Sequence, residues 1–440
     1  MGLSRLSVGL LLSGKNGSEI PLRGKVGRVI QESTRDGNHP GSRHARLPPN
    51  PKIRLANPME PAFCPRFVAN FSIPFANWGT ESLGENERNI LDPFSGSATS
   101  LLLASSKDFN SVGIEMNPAW VLYGRARLAV MDGTLEKEVN SLMSRCLSCD
   151  GFVRDEVAAG LFTEILQSRH VGELSARDVL AASILASARA RFRPEYGMNH
   201  SWPQYNVKRV KIPKSTVAGM VKGALRHAKW VQQNFRPQSE SQLILGDARR
   251  ADVYGKGFSM VLTSPPYLSR LDYVMASKPE LDYMRQIGMA YDVDAVRREQ
   301  IGTVVVSETG RNERPLPDSS NKIVQTVASH TSKGSRSYYS KFFSGYLCSM
   351  NDAFSSITAA CAPEARWIMV VQDSWYKDVH IPTNSLLADM LREHGWKLES
   401  EWRYRVKTLL SSLNPYSRAW KSNRVVNEYV QEFVRDDDAS

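Results

Sequence analysis

Five short apolar runs, each closing on a polar or turn-forming residue, constrain this chain more than any other feature of its sequence. They are Ile90-Leu91, ending in Asp92-Pro93; Ser111-Val112-Gly113-Ile114, ending at Glu115; and Gln242-Leu243-Ile244-Leu245, ending in Gly246-Asp247-Ala248. The fourth, Phe258-Ser259-Met260-Val261-Leu262-Thr263, ends in Ser264-Pro265-Pro266-Tyr267, and the fifth, Arg366-Trp367-Ile368-Met369-Val370-Val371, in Gln372-Asp373-Ser374. Runs this short and this apolar, bounded by turn residues, read as strands buried on both faces. Helical spacing follows the first at Leu101-Leu102-Leu103-Ala104 and the fifth over 385–394, where Gly395 stops it. Residues 428–434 read as a late strand. Strands alternating with helices predict an α/β fold on a parallel sheet, in which ligands bind beyond the carboxyl ends of the strands. All five runs place chemically capable residues at that edge.

The chain has 440 residues, 42% of them hydrophobic, enough for one large domain with insertions or for two domains. Two stretches interrupt the alternation. The first, 121–241, begins with helical periodicity and an Ala- and Leu-rich segment over 179–190. The second, 268–338, ends in a polar, loop-like segment over 308–337. Residues 1–60 are rich in Gly, Pro, Ser and Arg and read as a flexible basic arm. No apolar run approaches the ~20 residues of a membrane span, and the stretch from Leu6 to Leu12 is too short for a signal peptide. The expectation is a soluble, cytoplasmic protein without a membrane partner. Five cysteines, one CxxC pair at Cys146 and Cys149 and no second half nearby predict reduced thiols, neither a disulfide framework nor a metal site.

The net charge is +11, which suits an anionic partner, and its distribution says more. Arg189, Arg191, Arg193, Lys208, Arg209, Lys211, Lys214, Lys222, Arg226 and Lys229 follow one another with a single acid, Glu195, among them. Phe192, Tyr196, Trp202, Tyr205 and Trp230 are interleaved. Cations neutralise phosphates, and aromatics stack on bases or wedge between them. Arg191, Arg193, Trp202, Tyr205, Lys208, Arg209, Lys211 and Lys214 are the candidate nucleic-acid contacts; a solvated helix face or an acidic protein partner is the bland alternative, and Trp202 and Trp230 also suit the core of the insertion.

The turn Asp92-Pro93-Phe94-Ser95-Gly96-Ser97-Ala98-Thr99 lets a ligand approach the backbone between a strand and a helix. Glu115, at the end of the second strand, is placed to accept hydrogen bonds from a ribose diol, with Met116 beside it. Nicotinamide and adenosyl-methionine binders share that logic, but the GxGxxG fingerprint of the former is absent. Asp92 is placed for the ammonium group of a methionine moiety, or to cap the turn. Asp247, with Ala248, is placed for an adenine amino group, or to cap the next helix. Asp373 reads equally as cap or ligand.

Thr263-Ser264-Pro265-Pro266-Tyr267 decides between chemistries. A Pro-Pro pair holds a rigid, extended path and presents carbonyls in fixed directions. An exocyclic amine on a base is a poor nucleophile because its lone pair is delocalised into the ring. Acceptors at Ser264 and at the following carbonyl would hold its hydrogens and turn the lone pair toward an electrophilic methyl. Pro265 and Pro266 set the path, and Tyr267 would stack on a base flipped from the duplex. Direct attack of the amine needs no cysteine nucleophile.

Together, Asp-Pro-Phe-Ser-Gly-Ser-Ala-Thr, Gly-Ile-Glu-Met-Asn-Pro, Gly-Asp-Ala-Arg and Thr-Ser-Pro-Pro-Tyr resemble the amino-methyltransferases of DNA. The resemblance spans about 67–120 and 243–434. It implies a doubly wound, mostly parallel, Rossmann-like sheet of seven strands that binds S-adenosylmethionine through Asp92, Phe94, Gly96, Ser97, Thr99, Glu115, Met116, Asp247 and Ala248. It implies a discontinuous catalytic domain over 61–120 and 242–435, with 121–241 as an inserted, helical and basic target-recognition region read from charge and aromatics. The loop over 308–337 is the second candidate for that role. Ser264 resembles the cytosine-N4 branch, whereas the adenine-N6 branch more often carries Asp or Asn there. Phe71-Ser72-Ile73-Pro74-Phe75 loosely resembles the motif packing by the cofactor's methionine end. Ala98 stands where the family usually has a second glycine. The implied partner is double-stranded DNA in a prokaryotic or phage nucleoid, with a restriction endonuclease or other defence protein as companion. Adenine-N6 methylation, methylation of RNA and a catalytically inactive DNA-binding subunit are the alternatives.

Overall fold

A computed structural model describes residues 47–51, 64, 72–81, 88–172, 175–192, 194–195, 204–205, 209–235, 239–269, 272–305, 315–406 and 425–436. The expected basic arm lies outside them except for 47–51. The core is one sheet of seven strands: β1 (Asn89–Asp92), β2 (Asn110–Glu115), β3 (Ser241–Leu245), β4 (Phe258–Thr263), β5 (Cys361–Gln372), β6 (Trp396–Arg405) and β7 (Asn427–Arg435). Their order across the sheet is β6-β7-β5-β4-β1-β2-β3. The chain starts at the centre, steps outward through β2 to β3, then returns to the other side of β1 for β4 and β5. The parallel run ends there: β7 inserts antiparallel between β5 and β6. A mostly parallel seven-stranded sheet closed by an antiparallel hairpin is the class I methyltransferase fold, as the sequence implied. The strand order reverses between β1 and β4, so the carboxyl ends of those two strands flank the switch point where doubly wound sheets take their ligands.

Alternating residues along each strand face opposite cores. Ile90, Met260, Leu262, Ile368 and Val370 face one side; Leu91, Val261, Trp367, Met369 and Val371 face the other. The first side is covered by α1 (Ile73–Glu81), α2 (Thr99–Ser106) and α3 (Pro118–Leu128), and by helices of the first insertion. These are α4 (Leu135–Cys146), α5 (Asp155–Gln167), α6 (Ser175–Arg191) and α7 (Lys214–Asn234). Then follow α8 (Lys278–Gln286) and α9 (Val293–Glu299). The second side is covered by α10 (Asp318–Ser329), α11 (Ser340–Ala360) and α12 (Thr383–Glu393). No helix among the described residues is long and apolar enough to cross a membrane.

The first insertion shares the sheet's own core. Helix α6 is buried from Asp178 to Ala188, because its Ala and Ser side chains let α3, α4, α5, α7 and α8 approach it on several sides. Asp178 is tolerated there by Arg125 of α3: Nε donates to Asp178 Oδ1 at 2.8 Å, and the remaining nitrogens donate to the carbonyls of Ser168 and His170. Helix α3 is buried along its whole length.

The polar segment over 308–337 is not the loop its composition suggests. Asp318–Ser329 is helix α10, with Ile323, Val324 and Val327 turned onto the second core and Ser319 donating to Asp389 of α12 at 2.7 Å. Three apolar residues suffice to seat it; residues 306–314 lie outside the described ones.

Candidate active site

The carboxyl ends of β3, β2, β1 and β4 are four neighbours in the sheet, and hydrogen bonds stitch them together. Gly246 N donates to the carbonyl of Glu115 at 3.0 Å, joining β3 to β2. Ser95 N donates to the carbonyl of Ile114 at 3.0 Å, joining the turn after β1 to β2. Thr263 Oγ1 donates to Asp92 Oδ1 at 2.7 Å, joining β4 to β1. The three segments expected to hold a cofactor and the Ser264–Tyr267 run therefore lie together at one edge of the sheet.

The turn after β1 is wrapped around Glu115. Gly96 N donates to Glu115 Oε2 at 2.9 Å and Asn117 N to Oε1 at 2.8 Å. Each carboxylate oxygen keeps a lone pair for a further donor, which a ribose diol requires. Burial pushes this carboxyl up to about 7, against the backbone donors of Asn117, Gly96 and Met116, with the charge of Asp92 adding to the rise. Gly96 takes φ 50°, and Ala98, next to Thr99 at the start of α2, takes φ 62°, where an L side chain is strained. The glycine-like backbone is thus kept at Ala98 without the glycine. Gly113 of β2 lies under the turn, where a Cβ would come within 2.6 Å of Ser95 Oγ. Arg127 of α3 donates to the Ser97 carbonyl, fixing the turn from behind. Phe94 is partly buried against the second core and Met116 is partly exposed at the edge.

Asp92 and Asp247 are engaged with their own chain. Asp92 is buried and accepts from Phe94 N, Thr263 Oγ1 and Ser100 Oγ; burial pushes it up to about 6 in spite of those donors. Asp247 accepts from Arg249 N at 2.9 Å, capping the 3-10 turn that begins at Ala248, and pairs with the Arg249 guanidinium at 2.6 Å. Asp373 is fully buried and accepts from Asn427 N at 2.7 Å and His380 Nε2 at 3.0 Å, which favours the cap-like reading.

The Ser264–Tyr267 run is clamped by residues that its own sequence does not disclose. Tyr346 of α11 donates to the Pro266 carbonyl at 2.8 Å, and Tyr267 N donates to the Tyr273 hydroxyl at 3.1 Å. Tyr267 is buried, and its hydroxyl donates to Glu428 Oε1 of β7 at 2.6 Å. Two acceptors stay open within this rigid frame. Ser264 Oγ is buried with no partner of full hydrogen-bond geometry, and the Pro265 carbonyl accepts no bond among the described residues. Ser95 Oγ and Ser97 Oγ, in the facing turn, are likewise buried and unpartnered. Buried polar atoms ordinarily find a partner, so a group of them at one strand edge marks where a polar ligand belongs.

The basic stretch divides. Arg191, Lys211 and Lys214 are exposed, and Arg209, also exposed, pairs with Asp155 at 3.0 Å. Lys222, Arg226 and Lys229 stand exposed on α7, which contains no acidic residue, and together with Lys214 they have no ion-pair partner among the described residues. Arg189 is turned inward onto Glu280. Two interleaved aromatics are packed, not offered to bases: Phe192 is 5% exposed, and Trp230 stacks on His227 at 5.7 Å between centroids and meets Phe235 at 4.9 Å. Arg193, Trp202 and Lys208 lie outside the described residues, as does the side chain of Tyr205, whose backbone pairs with Pro194. Gln286 of α8 bonds both backbone groups of Val210, tying this stretch to the segment that follows the Ser264–Tyr267 run. Among the described residues no group of three or more His, Cys, Asp or Glu is placed to hold a metal.

No protein-family model matches the chain, and no curated protein matches it. Solved structures with a distant likeness include two of different chemistry. The rRNA methyltransferase AviRa from Streptomyces viridochromogenes is 10% identical, with 84% of this chain and 87% of that one covered at a TM-score of 0.28. A structure concerned with conversion of a disulfide bond into a thioacetal group during echinomycin biosynthesis is 9% identical, with 79% and 76% covered at 0.27. At those scores neither bears on activity or substrate, and the fold rests on the strand order itself.

Proposed function

We propose that this chain is an S-adenosylmethionine-dependent methyltransferase that acts on an exocyclic amino group of a nucleic-acid base, with N4 of cytosine in DNA as the preferred target. The observation that carries this reading is the pair of open acceptors, Ser264 Oγ and the Pro265 carbonyl, held at the end of β4 beside the Gly96–Glu115 turn. Two acceptors are what a primary amine needs if both its hydrogens are to be held while its lone pair is freed.

The residues present fit the cofactor. Glu115 retains lone pairs for the ribose hydroxyls, and the unpartnered hydroxyls of Ser95 and Ser97 line the approach to the backbone at Gly96. When bound, the cofactor supplies an electrophilic methyl group on a sulfonium. The chain's part is to bind, orient and exclude water. Ser264 and Pro265 hold the amine, and the phenols of Tyr346 and Tyr273 keep the Pro-Pro frame from yielding. The ring of Tyr267 forms a wall of the site.

The polymer is inferred from charge. The exposed Lys214, Lys222, Arg226 and Lys229 run along α7, a helix about 30 Å long, and suit a phosphate backbone. The choice of cytosine N4 rests on the resemblance of Thr263–Tyr267 to that branch of the DNA enzymes. Calorimetry and methyl transfer with Ser264→Ala test the assignment together. The variant is expected to bind S-adenosylmethionine as the parent does and to lose transfer to DNA; parallel loss of both would show the site is misassigned.

A further inference from the structure

The buried contact between Tyr267 and Glu428 has no evident purpose if Tyr267 is only a stacking surface. A phenylalanine would give the same ring, yet here a hydroxyl is directed at a carboxylate of a strand two places away in the sheet, 161 residues later in the chain. Both side chains are buried, Glu428 at 1% exposure. A buried carboxylate costs several kcal/mol in desolvation unless it is well bonded, and the floor of the site is a demanding place to keep one. Ser264 Oγ, the open acceptor at the head of the run, lies beside the same phenol, whose pKa burial raises well above its ordinary value, with the Ser264 hydroxyl acting against that rise. The Tyr267 Oη–H points toward Glu428 Oε1, and the Ser264 hydroxyl, which holds no bonded partner, can turn its proton toward Tyr267 Oη.

We propose that Glu428 receives the proton shed by the methylated amine, through the hydroxyls of Ser264 and Tyr267. The proposal rests on the amino-methyltransferase reading. When the amine's lone pair forms the new N–C bond, the S–C bond breaks with its electron pair left on sulfur, and the nitrogen becomes cationic. Its N–H bond then breaks, the electron pair returning to nitrogen. The proton passes to Ser264 Oγ, the Ser264 proton to Tyr267 Oη, and the Tyr267 proton to Glu428 Oε1. Both hydroxyls end as they began, and one carboxylate has become a carboxylic acid. After product leaves, the proton returns to water along the same row. Asp92, at the end of the neighbouring strand β1, is reached by Thr263 Oγ1 and not by Ser264, and its two oxygens already accept three internal donors. Across the ladder Glu428 is faced by Gln372 of β5 and Tyr404 of β6, neither of which carries a charge at neutral pH. Glu428 does not touch the substrate; it is a positioning and proton-accepting residue that acts through Tyr267.

Glu428→Gln discriminates, because glutamine keeps an acceptor for the phenol but cannot take its proton. With DNA that the parent methylates, kcat is expected to fall about 100-fold or more, in the range general-base losses occupy. The KM for DNA, the cofactor Kd by calorimetry and the urea midpoint should stay near parental values. Tyr267→Phe keeps the ring and cuts the row, so its kcat should fall comparably, and the double variant should be no worse than the poorer single. Parental kcat in Glu428→Gln alongside a crippled Tyr267→Phe would reduce the contact to an anchor and overturn the proposal. Losses that multiply in the double variant would also overturn it. Should Glu428→Gln fail to fold, an undiminished kcat in Tyr267→Phe does so alone. A parent that binds cofactor yet methylates no base amine would instead refute the underlying reading.

Discussion

Replacing Arg189 separates a structural cation from the cations proposed to bind phosphate, among which it stands in the sequence. Its Nη1 donates to both oxygens of Glu280 at 2.9 Å and to the carbonyl of Ala276 at 2.9 Å, while Tyr123 donates to Glu280 Oε1 at 3.0 Å. The Glu280 side chain is fully buried and that of Arg189 is 30% exposed. Arg189→Met therefore leaves a buried carboxylate with a single phenol donor. Breaking a buried pair from one side costs roughly 3–5 kcal/mol, and water reaching the emptied position from Arg189's exposed side sets the expectation at the lower end, about 3 kcal/mol. Adding Glu280→Gln removes the stranded charge, so the double variant should be more stable than Arg189→Met alone. The assay is urea unfolding, compared at equal slope. In parallel, the salt dependence of DNA affinity should be unchanged in Arg189→Met, because the guanidinium is not available to a phosphate. An unaltered urea midpoint together with a shallower salt slope would refute this reasoning and return Arg189 to the nucleic-acid surface.

Three further outcomes are expected. Replacing Lys222, Arg226 and Lys229 together by Ala should leave stability within about 0.5 kcal/mol per site and lower the slope of log affinity against log salt by up to ~0.9 for each phosphate no longer neutralised; an unchanged slope would remove α7 from the interface. Glu115, pushed up to about 7 from an ordinary 4.5, must be ionised to accept both ribose hydroxyls. Cofactor affinity measured by calorimetry should therefore weaken about tenfold as pH falls from 8 to 6, and Glu115→Gln should abolish that dependence. The sign for the unliganded protein is opposite: a carboxyl with a raised folded-state pKa favours folding below 4.5, and that contribution is lost as pH rises toward 7. Gly113→Ala would put a Cβ 2.6 Å from Ser95 Oγ and 3.0 Å from Leu101 and Leu243, an overpacking expected to cost about 1–3 kcal/mol and to weaken cofactor binding; parental stability and affinity would show that the turn is not seated on that glycine.

The parallel strands were legible because each is a short apolar run cut off by Gly, Pro or acid. Strand β6 was not, since it alternates: Trp396, Trp402 and Tyr404 are buried while Lys397, Glu401, Arg403 and Arg405 are exposed along a charged sheet edge. Helix α10 was hidden by its polar composition, because only one stripe of it needs to be apolar. Glu115 and Ser264 could be named because each ends a recognisable strand. Tyr273, Tyr346 and Glu428 could not, since what recruits them is proximity across the sheet and the insertions, which spacing along the chain does not encode. The signal available for Glu428 was an acid followed directly by Tyr429-Val430 in an apolar strand, where an unbonded charge would be costly. Phe192 and Arg189 were counted with the basic, aromatic stretch, and Trp230 was left between that stretch and the core, because charge density does not reveal which side of a helix faces the core.

The central claim is best tested by incubating purified protein with DNA, or with RNA, and isotopically methyl-labelled S-adenosylmethionine, digesting the polymer to nucleosides and identifying the labelled species by mass spectrometry. Labelled N4-methylcytosine from DNA, absent with Ser264→Ala, is the predicted result. Label in N6-methyladenine would keep the reaction and correct the base. Label in RNA alone would overturn the choice of polymer, and no label in either would contradict the assignment of this chain as an amino-methyltransferase.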